Sequence, residues 1–195
     1  MNPQPEYTIA ISSIGDLDAT LLQQVKRDIK QVFGYPVKFH LLLKDVTFAL
    51  DSARHQYHST KILEKLDSLA PSHAVKVLAI VQVDLFIPIL THVFGEAQLG
   101  GKTCVISTHR LQEEISLVGG FKTFCKRVSK EAVHELGHTF NLRHCKERSC
   151  IMHYCRTLSD VDRKTDQLCR YCTVLLQDEL KRLQNHPESP LQKKR

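Results

Sequence analysis

No stretch of this chain is apolar for long enough to span a bilayer, and its start, MNPQPEYTIA, holds neither a basic region nor an apolar run. No membrane partner and no secretory leader are therefore expected, and the cytoplasm is the expected compartment. Internal repeats are missing, as are a Gly-rich phosphate loop and a G-x-S-x-G elbow, so nucleotide-dependent and serine-hydrolase chemistries lack their parts. No arginine-rich block interleaved with aromatics marks nucleic acid, and a formal net charge of +6 spread along the chain reads as a solvated surface.

What is present is more specific. With 195 residues, 42% apolar and 25% charged, the chain can form one full domain or a main domain with a small lobe. The second is expected, with residues 1–141 as an α/β subdomain, 142–186 as a C-terminal subdomain and 187–195 as a disordered tail. Seven cysteines, an odd number, favour metal ligation over disulfides where thiols stay reduced.

The most explicit chemistry lies in HELGHTFNLRHC, residues 134–145. His134, Glu135 and His138 form H-E-x-x-H, whose spacing of four puts both imidazoles on one helix face to share a metal, with Glu135 beside it to take a proton from water. Phe121, Phe124, Val128, Ala132, Val133 and Leu136 give an apolar face at helical spacing, so the motif should end a long buried helix. A third ligand must come from a chain that turns back. Asn141 tolerates the left-handed conformation that ends a helix, which makes His144 the expected third ligand and leaves a fourth position for water.

Directly after His144 come Cys145, Cys150, Cys169 and Cys172, two close pairs across a loop, which is the pattern of a structural four-thiolate zinc site. Cys155 follows Cys150 at the gap that separates Cys150 from Cys145, so it could replace either upstream partner. Cys104 and Cys125 are left as buried core residues.

Together these residues resemble the archaemetzincins, which join a metzincin-like H-E-x-x-H segment to a downstream four-cysteine zinc site with a methionine just after its second cysteine, here Met152. The resemblance runs from about Tyr7 to about Leu183 and includes Arg54 to Tyr57, Asp84 to Phe86, Val93 to Ala97 and Ile106 to Leu111. It implies a zinc metallopeptidase with a metzincin-like α/β fold, a twisted mixed β-sheet, an active-site helix and a small zinc-bound C-terminal lobe. It further implies two zinc ions per chain. One is catalytic, on His134, His138 and His144 with Glu135 as general base; the other is structural, on Cys145, Cys150, Cys169 and Cys172. Asn141 replaces the glycine of the metzincin pattern. Tyr154 resembles the tyrosine that astacin-type metzincins bring to the metal, and the resemblance allows an aminopeptidase-like preference, for which Glu96 is the one acidic amine anchor in view.

Along the chain, Tyr7 to Ile14 reads as a strand, Leu21 to Phe33 as a helix and Val37 to Leu43 as a second strand in a right-handed crossover. Residues 44–56 read as a polar connection before a helix from Tyr57 to Leu69. Val75 to Val83 is a nearly continuous apolar run, the mark of a strand buried on both faces. His92 to Gln98 and Thr103 to Ser107 make a hairpin with a short edge strand, and glycines break the irregular approach from Glu113 to Gly120. Residues 141–162 show little apolar periodicity and need metal to be ordered, and Thr165 to Asn185 reads as the last helix. The expected partner is a peptide or protein bound along the edge near Phe94 to Leu99, to a monomer. The rival reading is a catalytically quiet zinc-dependent peptide-binding scaffold. A nucleic-acid knuckle at the cysteines is weaker still.

Overall fold

A computed structural model describes residues 7–113 and 120–185. The expected disordered tail and most of the expected irregular approach to the long helix lie outside the described residues. Five strands form the main sheet: β1 (Thr8–Ser13), β2 (Val37–Phe39), β5 (Ala74–Val81), β7 (Gly95–Ala97) and β8 (Thr103–Ser107), in the order β2-β1-β5-β8-β7. All neighbours pair in parallel except β7, which runs antiparallel to β8 at the edge.

Strand alternation divides the interior into two cores. Ile9, Ile11, Leu78, Ile80, Cys104 and Ile106 face one way, towards helices α1 (Ala19–Phe33), α3 (Gly120–Thr139) and α5 (Arg170–Asn185). Ala10, Val77, Ala79, Val81 and Val105 face the other way, onto α2 (Ser59–Leu69). Because β5 is central and carries side chains to both cores, its run of apolar residues is continuous rather than alternating. Its one interruption is Lys76, which is buried.

Several expected elements shift. The second strand ends at Phe39, and the supposed polar connection after it folds into β3 (Leu50–Asp51) and β4 (Gln56–His58), which form a second sheet with β6 (Leu85–Phe86). Their local pattern is too short to show a period. Phe121 stays exposed: its ring lies tilted against that of Phe124, 6.2 Å away, at the start of α3. A short helix, α4 (Leu158–Arg163), interrupts the segment expected to lack periodicity; Thr157 and Asp160 cap it reciprocally. The last helix begins at Arg170 and not at Thr165. Residues 165–167 are tied instead to the preceding loop, through Thr165 N–H to Ser149 O at 2.9 Å and Ile151 N–H to Gln167 O at 2.8 Å.

The C-terminal segment does not pack apart from the rest. Cys150, Ile151, Met152, Val161, Cys172 and Leu176 belong to the same core as α1 and α3. Among the described residues no helix is long and apolar enough to cross a membrane.

Candidate metal centres and the cleft

Helix α3 supplies His134, Glu135 and His138 from its last turns, where it is buried against β7 and β8. It ends in a double hydrogen-bonded cap: Asn141 N–H donates to His138 O at 2.9 Å and Leu142 N–H to Gly137 O at 3.0 Å. Asn141 takes φ 64°, the left-handed conformation expected of it. The turn serves a second purpose, since Leu142 O then accepts from His138 Nδ1 at 2.7 Å. His144 comes back beneath the helix end, and its ring centroid lies 5.3 Å from that of His134 and 4.7 Å from that of His138.

The ring nitrogens can be assigned from their partners. A ring nitrogen that faces a carbonyl must carry its proton, so His134 Nδ1 donates to Ile151 O (2.8 Å) and His138 Nδ1 to Leu142 O. Both Nε2 atoms are then bare, and they face each other at 3.2 Å. Two lone pairs repel at that distance unless a cation lies between them. Zn–N bonds of about 2.0–2.1 Å at tetrahedral angles would place the nitrogens roughly 3.3 Å apart, so the donor set fits zinc. One ligand atom from each of His134, His138 and His144 lies within 4.8 Å of the others. All three imidazoles are held below their ordinary pKa, chiefly by burial, with His144 at about 4, so each stays in the neutral form that binds metal.

Glu135 stands at the floor of the cleft against the edge strand. A Cβ added at Gly95 would come within 2.6 Å of Glu135 Cγ and 2.7 Å of Val105 O, so glycine is what lets β7 approach the carboxylate. Burial pushes the Glu135 carboxyl well above the usual carboxylate range; Glu131 adds to this and Lys164 opposes it. Met152 is fully buried under the site, and its Sδ would lie 2.5 Å from a Cβ at Gly137. The turn that carries this methionine therefore packs directly on the last turns of α3.

The four expected cysteines also come together. Sulfurs of Cys145, Cys150, Cys169 and Cys172 lie within 4.8 Å of one another, and Cys145 Sγ to Cys169 Sγ is 3.7 Å. Tetrahedral Zn–S bonds of about 2.3 Å would give roughly 3.8 Å. Backbone amides point at the cluster, Cys169 N–H to Cys150 Sγ at 3.3 Å and Glu147 N–H to Cys145 Sγ at 3.4 Å. Cys169 lies just before α5 and Cys172 in its first turn, so only one of this pair is helical. Cys155 is not part of the cluster. It lines the cleft, where burial pushes its thiol up to about 11.

A cleft of about 610 Å³ holds the three histidines, and its lining includes Leu90, His92, Leu99, Arg143, Tyr154 and Arg156. The Tyr154 ring lies 4.9 Å from that of His144. Glu96, the one acidic candidate for an amine anchor, is already engaged: its carboxylate accepts from the hydroxyls of Ser59 and Thr60. The alternation of β7 turns it towards α2. Sequence reasoning missed Glu131 and Lys164, a buried ion pair of 2.7 Å beside His134. The signal was available, since Glu131 is an acid one turn before Glu135 on a face that otherwise reads apolar.

The model of Peptidase family M54 matches residues 4–178. The chain is 36% identical to the archaemetzincin of Natronomonas pharaonis over 170 residues, 84% of this chain and 96% of that one. It is 36% identical to that of Methanocaldococcus jannaschii over 173 residues, 87% and 93% of the two chains. Among solved structures, archaemetzincin from Methanopyrus kandleri superposes with a TM-score of 0.78 at 30% identity, covering 93% of this chain and 99% of that one. The corresponding values for the protein from Archaeoglobus fulgidus are 0.73 and 30%, covering 86% and 99%. With the family model matching most of the sequence and relatives of 36% identity covering it, the chain belongs to the archaemetzincins of Peptidase family M54, and is a zinc metallopeptidase.

Proposed function

We propose that His134, His138 and His144 hold the catalytic zinc, that Cys145, Cys150, Cys169 and Cys172 hold a second, structural zinc, and that Glu135 is the general base of peptide-bond hydrolysis. The carrying observation is the pair of bare Nε2 atoms at 3.2 Å, with Glu135 lining the same cleft. When bound, zinc supplies a Lewis acid that polarises the scissile carbonyl and acidifies water. Glu135 takes the proton from the attacking water and returns it to the leaving amine, and its burial strengthens it as a base. Gly95–Ala97 is the edge of the sheet, so its outer side can pair with an extended substrate backbone, with the wider rim running from Phe94 to Leu99.

Such pairing reads backbone before side chains. Of the carboxylates lining the cleft, Glu96 is bonded to α2 and Glu131 to Lys164, and Glu135 is reserved for the proton. Among the described residues none of these carboxylates is free to anchor an amine, so we infer internal cleavage in preference to the aminopeptidase-like alternative.

The test is digestion of a peptide library, free and acetylated at the amino end, by the zinc-loaded chain and its Glu135→Gln variant. Cleavage of both libraries, falling about 10²–10⁴-fold in the variant while zinc content is unchanged, is expected. Cleavage confined to free amino ends restores the aminopeptidase reading. Peptide binding without Glu135-dependent turnover would identify the quiet scaffold.

A further inference from the structure

Lys164 is the most deeply buried cation beside the histidine centre. It follows α4, and its side chain is fully enclosed. Its ammonium lies 2.7 Å from Glu131 Oε1 and 3.4 Å from His134 Nδ1. That second contact has the wrong polarity. His134 Nδ1 carries the proton it donates to Ile151 O, and an ammonium has only protons to offer, so two donors confront each other.

The confrontation matters because an imidazole has two neutral tautomers. If Lys164 donated to Nδ1, the ring proton would sit on Nε2, the atom that must be bare to bind metal. What restrains Lys164 is Glu131, three residues before His134 on the same helix. The surroundings keep the lysine itself in place, since Lys130 Nζ donates to Lys164 O at 2.6 Å and to Val161 O at 2.9 Å. Arg127 clamps Asp162 with two bonds, of 2.8 and 2.7 Å. The backbone at Lys164 cannot easily retreat, so the direction of its ammonium is decided by whichever acceptor is offered.

We propose that Glu131 is a positioning residue for the zinc centre: by engaging Lys164, it keeps the His134 proton on Nδ1 and its Nε2 free for metal. This inference rests on the reading that the three histidines bind a metal. It assigns no contact with substrate to either residue. It also accounts for an ion pair buried where an apolar pair would cost less to desolvate.

The test is a mutant cycle read by metal affinity rather than turnover. Cobalt(II) is titrated into the full chain with zinc in the cysteine centre and the histidine centre empty, and its visible d–d absorption is followed. Glu131→Gln is expected to weaken cobalt binding by roughly 10–100-fold, the usual effect of removing an outer-shell partner. Adding Lys164→Met should recover most of that loss, because the competing donor is gone. A double variant as weak as Glu131→Gln, the outcome of a merely structural role, overturns the proposal, as does a Glu131→Gln chain that binds like the parent.

Where Glu131→Gln does not fold, Lys164→Met alone decides, and it should retain parental cobalt affinity. Long-range ¹H–¹⁵N spectra of the same preparation give a second readout. The parent should show His134 protonated at Nδ1, and a parent protonated at Nε2 sinks the idea. If the parent binds no cobalt at the histidines, the metal reading fails on its own, while the spectra still judge the tautomer.

Discussion

The histidine and cysteine centres adjoin in the chain but are held together by different forces. The first is built on regular structure: two of its three ligands lie on α3, in the main core, and their rings are aimed by backbone carbonyls that belong to a helix cap and a tight turn. The second is built from loops. Three of its four cysteines lie outside regular elements, although Cys150 and Cys172 are buried in the same core, and backbone amides point at the sulfurs of Cys145 and Cys150. A site carried on regular structure should keep its shape without metal, whereas one carried largely on loops should not.

The sharpest way to break this contrast is to empty each centre in turn. Cys172→Ser should abolish metal binding at the cysteines and lower thermal stability by several kcal/mol, because metal affinity there is also folding energy. His138→Ala should leave the melting temperature nearly unchanged while removing metal from the histidines. Calorimetry with parallel metal analysis reads both, and equal destabilisation would erase the distinction.

Lys76 offers a test that depends on pH. Its ammonium donates to Thr139 O at 2.6 Å and Gly101 O at 2.7 Å, tying the end of α3 to the hairpin loop. Burial lowers its pKa from 10.5 to about 8, against a partial pull upward from Glu179. Between those values the unfolded chain binds the extra proton, so stability should rise with pH, by up to about 3 kcal/mol. Denaturant unfolding of the parent minus that of Lys76→Met, measured across this window, should show the rise; a flat difference would remove Lys76 from the frame.

Smaller effects follow at two backbone positions of the histidine centre. Gly95→Ala forces a methyl group against Val105 O and Glu135, and should cost about 1–3 kcal/mol and reduce turnover without loss of zinc. Asn141→Gly relieves the left-handed strain at φ 64° and should stabilise the chain by no more than about 1 kcal/mol, visible as a slight rise in melting temperature.

Ligand spacing made both centres legible, because H-E-x-x-H and paired cysteines are local patterns whose geometry follows from helix pitch and loop closure. The central strand and the long helix were legible for a similar reason, since each is long enough to display its period. The small β3-β4-β6 sheet was not, because two- and three-residue strands have no period to read. Helix α4 could have been found from the Thr157 and Asp160 capping box, a signal that apolar counting passes over. Glu131, Lys164 and Lys76 were hidden for another reason: sequence shows a charge, but not that the fold buries it, and their partners come from distant segments.

His144 and Cys145 are consecutive, so a candidate ligand of each centre hangs from neighbouring Cα atoms about 3.8 Å apart. In terms of insertion and deletion, this junction has no slack. A residue added between them would have to displace one centre from its ligand, whereas the exposed stretch from Lys146 to Ser149 has room for substitutions on its outer side. Two sites with separate chemistries thus share one fixed length of chain, and neither can drift without the other.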